Sequence, residues 1–129
     1  MRATIGWLSI VTLMVLPAPA KGSPGNVNAH SFYVDAKDLM DKGMRAMFDK
    51  RTKPMMAQMK DAGESVKAEN AAAAANGAPL YCVPATARKS GASAQFAIDR
   101  LGAMPEARRR AVSLKSAWRA ILIQEYPCR

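Results

Sequence analysis

Residues 112–128, VSLKSAWRAILIQEYPC, decide how the chain is read. Val112, Leu114, Ala117, Trp118, Ile121 and Leu122 recur at three- and four-residue spacing as far as Glu125. That period predicts an amphipathic helix with Trp118 as its largest apolar anchor. Pro127 cannot continue a helix and ends the pattern. Cys128 follows one residue from the C-terminus, and the chain's other cysteine is Cys82, at the head of Tyr81-Cys82-Val83-Pro84. In an exported chain an even cysteine count reads as a disulfide, whereas in the cytosol it reads as two thiols. Closing a roughly 47-residue loop stabilises by about 4 kcal/mol in the chain-entropy picture. A redox-active pair is the alternative, but the spacing is unlike Cys-x-x-Cys.

Upstream of this helix the pattern continues. Ser93 suits an N-cap for a helix that carries Ala94, Phe96, Ala97, Ile98 and Leu101, and Met104-Pro105 closes it. Pro105-Glu106 can open a further short turn through Arg110. Residues 88–91, RKSG, read as a basic, turn-like loop.

Thr52 and Pro54 suit the first turn of a longer helix, with Met55, Met56, Met59, Ala62 and Val66 as its buried side. The alanine run 71–75 extends it as a strong helix former, and Asn76-Gly77 ends it. The first helix is expected to start at Asp35. Leu39, Met40, Met44, Met47 and Phe48 would form its apolar stripe, and Phe32, Tyr33 and Val34 would fold over its end. Gly43 lies inside that stripe at a cost of about 1 kcal/mol relative to Ala. The sum is an all-α fold: a small four-helix domain over residues 31–129, with one disulfide and no sheet.

Residues 1–20, MRATIGWLSIVTLMVLPAPA, have one basic residue, an uncharged apolar run from Ile5 to Leu16, and Ala18-Pro19-Ala20 as a cleavage site. That is the form of a secretory signal peptide, and the apolar run is short for an anchor. The expected mature chain is soluble and periplasmic or extracellular, with no membrane span. Residues 21–30, KGSPGNVNAH, read as a flexible leader, and His30 as a solvated loop histidine without metal partners at ligand spacing.

The chain of 129 residues has a formal net charge of +9. Residues 21–81 contribute nine basic and seven acidic groups, and residues 82–129 nine basic and three acidic. Arg108, Lys115 and Arg119 fall on one side if the last helix reaches back to 108, with Arg109 and Arg110 adjacent. This stripe is the candidate partner-binding surface, suited to an acidic protein, anionic lipid or polysaccharide. Export disfavours nucleic acid, and a solvated helix face is the plain alternative. The pairs Met44/Met47 and Met56/Met59 offer soft sulfur ligands of the kind Cu(I) prefers. They are also the apolar stripes of their helices, which reads as core or as an adaptable contact surface rather than a metal site. No catalytic residues, metal site or cofactor are expected: the sequence has no phosphate-binding Gly-rich loop, and its one histidine sits in the leader.

Tyr81-Cys82-Val83-Pro84, Ser93-Ala94-Gln95-Phe96, Leu101 followed by Pro105-Glu106-Ala107-Arg108, Ser113-Leu114, and Glu125-Tyr126-Pro127-Cys128 come in a familiar order and spacing. In these motifs, which cover about half of the mature chain, the sequence resembles the small periplasmic immunity proteins that neutralise type VI secretion amidase effectors. Phe32-Tyr33 before the first helix also fits. The resemblance implies an all-helical, often dimeric domain that plugs the cleft of a peptidoglycan amidase and retains Cys82 and Cys128 as structural cysteines. It departs from that family over residues 44–61, where a second cysteine pair and a Gly-Tyr-Ile-type segment are replaced by Met and Lys. A stress or chaperone-like protein that binds unfolded clients through Met-rich surfaces is the alternative function, and Cu(I) binding a third.

Overall fold

The computed structural model describes residues 22–129, so the expected signal peptide lies outside the described residues. The order is a 3-10 turn Pro24–Asn26, α1 Ala29–Asp41, a 3-10 segment Gly43–Phe48, α2 Thr52–Ala75, α3 Ala85–Ser90, α4 Ala94–Ala103, α5 Glu106–Ala111 and α6 Leu114–Glu125. The four long helices α1, α2, α4 and α6 make an all-α fold, and no strand is present among the described residues.

Helix α1 starts six residues before the expected Asp35. Asn28 caps it, its Oδ1 accepting from the backbone N–H of His30 at 3.0 Å and of Ser31 at 3.2 Å. Asn28 is itself held from afar, with its Nδ2 donating to the Arg110 carbonyl at 2.8 Å. A single antiparallel bridge, Asn28 to Ser113, runs alongside: the Ala29 N–H reaches the Val112 carbonyl and the Leu114 N–H the Val27 carbonyl. Phe32 and Tyr33 are therefore inside the helix rather than folded over its end.

Residues 22–30 do not form a detached leader. Gly25 is buried against α2, where a Cβ would meet the Ala62 backbone nitrogen at 2.7 Å. The Asp61 carboxylate accepts from the Ser23 hydroxyl and from the Gly25 N–H, which hold its pKa below the ordinary carboxylate value. The Gly and Pro that read as flexibility instead permit a close backbone approach.

Helix α2 begins and ends where its sequence indicates, at Thr52 and at Asn76-Gly77, with Gly77 at φ 80°. Met55, Ala62 and Val66 are its buried positions. Near its end Asn70 accepts from the N–H groups of Leu80 and Tyr81 and donates to the Tyr81 carbonyl, fixing the returning chain. The segment read as a basic loop forms the short α3, stopped by Gly91 at φ 66°. Ser93 caps α4 through the Phe96 N–H, as its position predicts.

Helices α5 and α6 are separate. Val112 is extended at φ −125°, ψ 158°, and Ser113 caps α6 through the Ser116 N–H. Leu101, Leu114 and Val66 are the largest fully buried side chains, and Trp118 meets Phe96 edge-on at 6.1 Å.

Cys82 and Cys128 are bonded, with Cα atoms 4.9 Å apart and 46 residues of sequence separation. The Cys82 N–H also donates to the Tyr126 carbonyl at 2.8 Å. Replacing both cysteines by serine should lower stability to urea unfolding by about 2–4 kcal/mol. Gly25→Ala should cost about 1–3 kcal/mol through the clash with Ala62. An unchanged urea midpoint in either variant would contradict the corresponding contact.

Candidate functional site

The chain breaks direction after α1. Lys42 ends the helix, Gly43 takes φ 56°, and the next residues wind as a 3-10 segment. The stripe expected from Leu39 to Phe48 is consequently split. Leu39 stays in the core and Ala46 packs against it, but Met44 is 81% exposed, Met47 71% and Phe48 91%. A 3.6-residue period cannot persist through a left-handed residue followed by a tighter helix, so the apolar side chains turn outward.

Arg51 holds the reversal in place. Its guanidinium reaches Asp35 at 2.9 Å and Asp49 at 3.1 Å and also pairs with Asp38. Lys42 bridges Asp38 at 3.3 Å and Asp49 at 2.9 Å. Hydrogen bonds from Arg51 and then Lys42 hold both the Asp38 and Asp49 carboxyls below their ordinary pKa, Asp49 far below it. The Thr52 hydroxyl donates to the Ala46 carbonyl, closing the loop from inside.

Between this reversal and α4 lies an apolar groove of about 780 Å³. Its walls are Phe32, Ala36, Leu39 and Met40 of α1, Gly43 and Ala46 of the 3-10 segment, Thr52, Met55, Met56, Met59, Lys60 and Gly63 of α2, and Ala92 and Ser93 before α4 with its Ala94, Ala97 and Ile98. Trp118 forms part of the floor, and Met56, 68% exposed, stands on the α2 rim. Its polar lining is sparse. Thr52 and Ser93 are engaged with backbone groups, and Lys60 is the one titratable side chain in it. Such a surface can bind an apolar ligand face, and it offers no paired nucleophile and base. Among the described residues, no group of three or more His, Cys, Asp or Glu is placed to hold a metal.

The methionines are thus divided: Met55 is buried, Met59 and Met104 are half-buried against the core, and Met40, Met44, Met47 and Met56 are exposed. Of the two roles open from sequence, core or contact surface, the second describes the exposed four.

The expected basic stripe is not assembled. Arg109 is only 7% exposed, and its Nη1 donates to the carbonyls of Leu101 at 2.9 Å, Gly102 at 3.2 Å and Met104. Its guanidinium lies 4.4 Å from the Tyr33 ring centroid. Arg109 therefore completes the C-terminus of α4. Lys115 and Arg119 share Glu69 of α2, at 2.6 and 2.8 Å, and lower its pKa, Lys115 having the larger effect. Arg108 is exposed beside a different cleft, with Pro105 and Ile123. The break at Val112 and Ser113 is what separates these side chains. His30, expected to be solvated, sits in the first turn of α1, where its Nδ1 accepts from Arg109 Nε at 3.4 Å and its Nε2 is 3.9 Å from Glu106.

No protein-family model, curated protein or solved structure matches this chain.

Asp38 and Asp49 have folded-state pKa values below those of the unfolded chain. Their pairing therefore stabilises the fold above pH about 4, and this contribution is lost as pH falls through the lower folded-state values. Arg51→Ala should lower the urea midpoint at neutral pH. The gap to the parent should then narrow as pH is taken from about 5 towards 2. A gap that stays constant over that range would show that the ion network does not stabilise the reversal.

Proposed function

We propose that the protein is an exported, non-catalytic helical binding protein of the amidase-immunity type, which works by covering an effector's active-site cleft. The observation that carries this reading is the open apolar groove, with Met40 and Met56 exposed in its lining and Met44, Met47 and Phe48 exposed on the 3-10 segment that supplies Gly43 and Ala46 to its wall. A large contiguous apolar surface left in water marks a contact site. The Cys82–Cys128 bond supports an oxidising compartment and so agrees with the export signal read over residues 1–20. The immunity assignment itself rests on the motif order around those cysteines. The partner would be a peptidoglycan amidase, met by the groove face rather than by the Arg108–Arg119 region, whose side chains are largely engaged within the fold.

Exposed methionines also favour a second reading, a stress or chaperone-like protein that holds unfolded clients. Flexible thioether side chains repack around varied apolar shapes.

One experiment separates the two. The chain is produced with its leader in cells that also make a periplasm-directed cysteine amidase from the same genome, and survival is followed beside aggregation assays with an unfolded client. Protection from lysis that is lost on Met56→Glu supports the immunity reading. Suppression of client aggregation without protection replaces it with the second, and neither effect removes both.

A further inference from the structure

We infer that the groove receives one amphipathic helix of a partner protein, apolar on the buried face and acidic along the flank that lies beside α2. The inference rests on the binding-protein reading above and names what that surface takes. The trough follows α2 from Thr52 to Gly63, a length of about 16 Å, or about three helical turns at a rise of about 1.5 Å per residue. Its walls are mainly helical and no strand is present among the described residues, so no open strand edge invites an extended peptide. A bilayer is flat and cannot reach a floor made by Ala97 and Trp118. A helix presenting apolar residues at i, i+3, i+4 and i+7 fits a trough of this shape, and thioether rims adapt to its side chains.

Charge specifies the flank. Lys53, Lys60 and Lys67 repeat every seven residues and therefore line one edge of α2, next to Met56 and Gly63. Lys60 reaches Glu64 only at 3.8 Å, and Lys53 and Lys67 make no ion pair among the described residues. Arg45 and Lys50, beside Met44 and Phe48, likewise make none among the described residues. On the α1 edge Lys37 and Asp41 stand together, so that side has no comparable bias. A second copy of this chain would offer the same basic α2 edge and no acidic flank to complement Lys53, Lys60 and Lys67.

The test uses two labelled synthetic helical peptides with the same apolar stripe, one carrying Glu and the other Lys on a single flank. Binding to the full chain is followed by fluorescence anisotropy. The acidic peptide should bind with a Kd of about 1–100 μM. The basic one should bind at least about tenfold more weakly, with the difference shrinking as salt rises. Met56→Glu should weaken the acidic peptide at least about tenfold with an unchanged circular dichroism spectrum. The double variant Lys53→Glu/Lys60→Glu should reverse the peptide preference.

Several results would overturn the inference: no binding of either peptide at about 1 mM, equal binding of both, binding of phosphatidylglycerol vesicles in place of the peptide, or a sedimenting dimer that Met56→Glu dissociates. Its failure is separable from failure of the immunity reading. Protection from the amidase without acidic-peptide binding removes only the helix, and peptide binding without protection removes only the amidase.

Discussion

The groove exists because Arg51 draws three carboxylates together. Asp35 and Asp38 belong to α1, Asp49 to the connection, and Arg51 to the threshold of α2. With Lys42 closing the second side, this network makes the chain reverse within about ten residues. The alternative, a continuous helix through residues 42–48, would swing Met44, Met47 and Phe48 round the axis and carry the start of α2 away from α1. Each pair is partly exposed, and a lone pair of that kind contributes little. A guanidinium shared by three acids is different, because fixing one side chain serves every partner at once. The polar network thus decides where the apolar residues go.

Sequence made the fold class legible, and with it α2, the Ser93 cap of α4 and the disulfide. These features depend on local signals: period, capping residues, proline stops and cysteine count. What sequence misplaced depends on distant contacts. The start of α1 went unrecognised because Asn28 looks like a leader residue until Arg110 and Val112 are seen beside it. Pro24 and Gly25 carry the same composition as a flexible tail, yet Gly25 lies against Ala62. Gly43 is one sign of the break in the first helix. Read as a tolerated cost inside a stripe, it hid the groove. An interrupting glycine followed by a dense run of Asp, Lys and Arg was the signal that would have found it.

Stability and binding compete for the same apolar side chains. Among the core residues several are alanines, and only Leu101, Leu114 and Val66 are both large and fully closed off from water. Meanwhile Phe48 and four methionines are exposed. A domain of about a hundred residues has a modest core to begin with. The covalent link between Cys82 and Cys128, the Asn70 clamp on residues 80–81 and the Arg109 plug at the end of α4 offset what the groove withholds. None of these residues lines the groove, so its wall can remain apolar and open without leaving the scaffold loose.

The same division governs charge. Counted along the chain, the C-terminal half is the strongly basic one, and that count points to Arg108, Lys115 and Arg119 as a docking face. In three dimensions several of those basic side chains are engaged within the fold. Arg109 is spent on carbonyls, Arg110 on Glu106, Arg100 on Glu125, and Lys115 with Arg119 on a glutamate that belongs to the N-terminal half. The last pairing matters most, because it withdraws Glu69 from the local balance of α2 and leaves that helix with Lys53, Lys60 and Lys67 facing a single nearby Glu64. A nearly neutral segment by sequence thereby acquires a basic edge, and it does so beside the apolar trough. Folding thus sets unpaired basic charge beside unburied hydrophobic surface, and a ligand that satisfies one must satisfy the other.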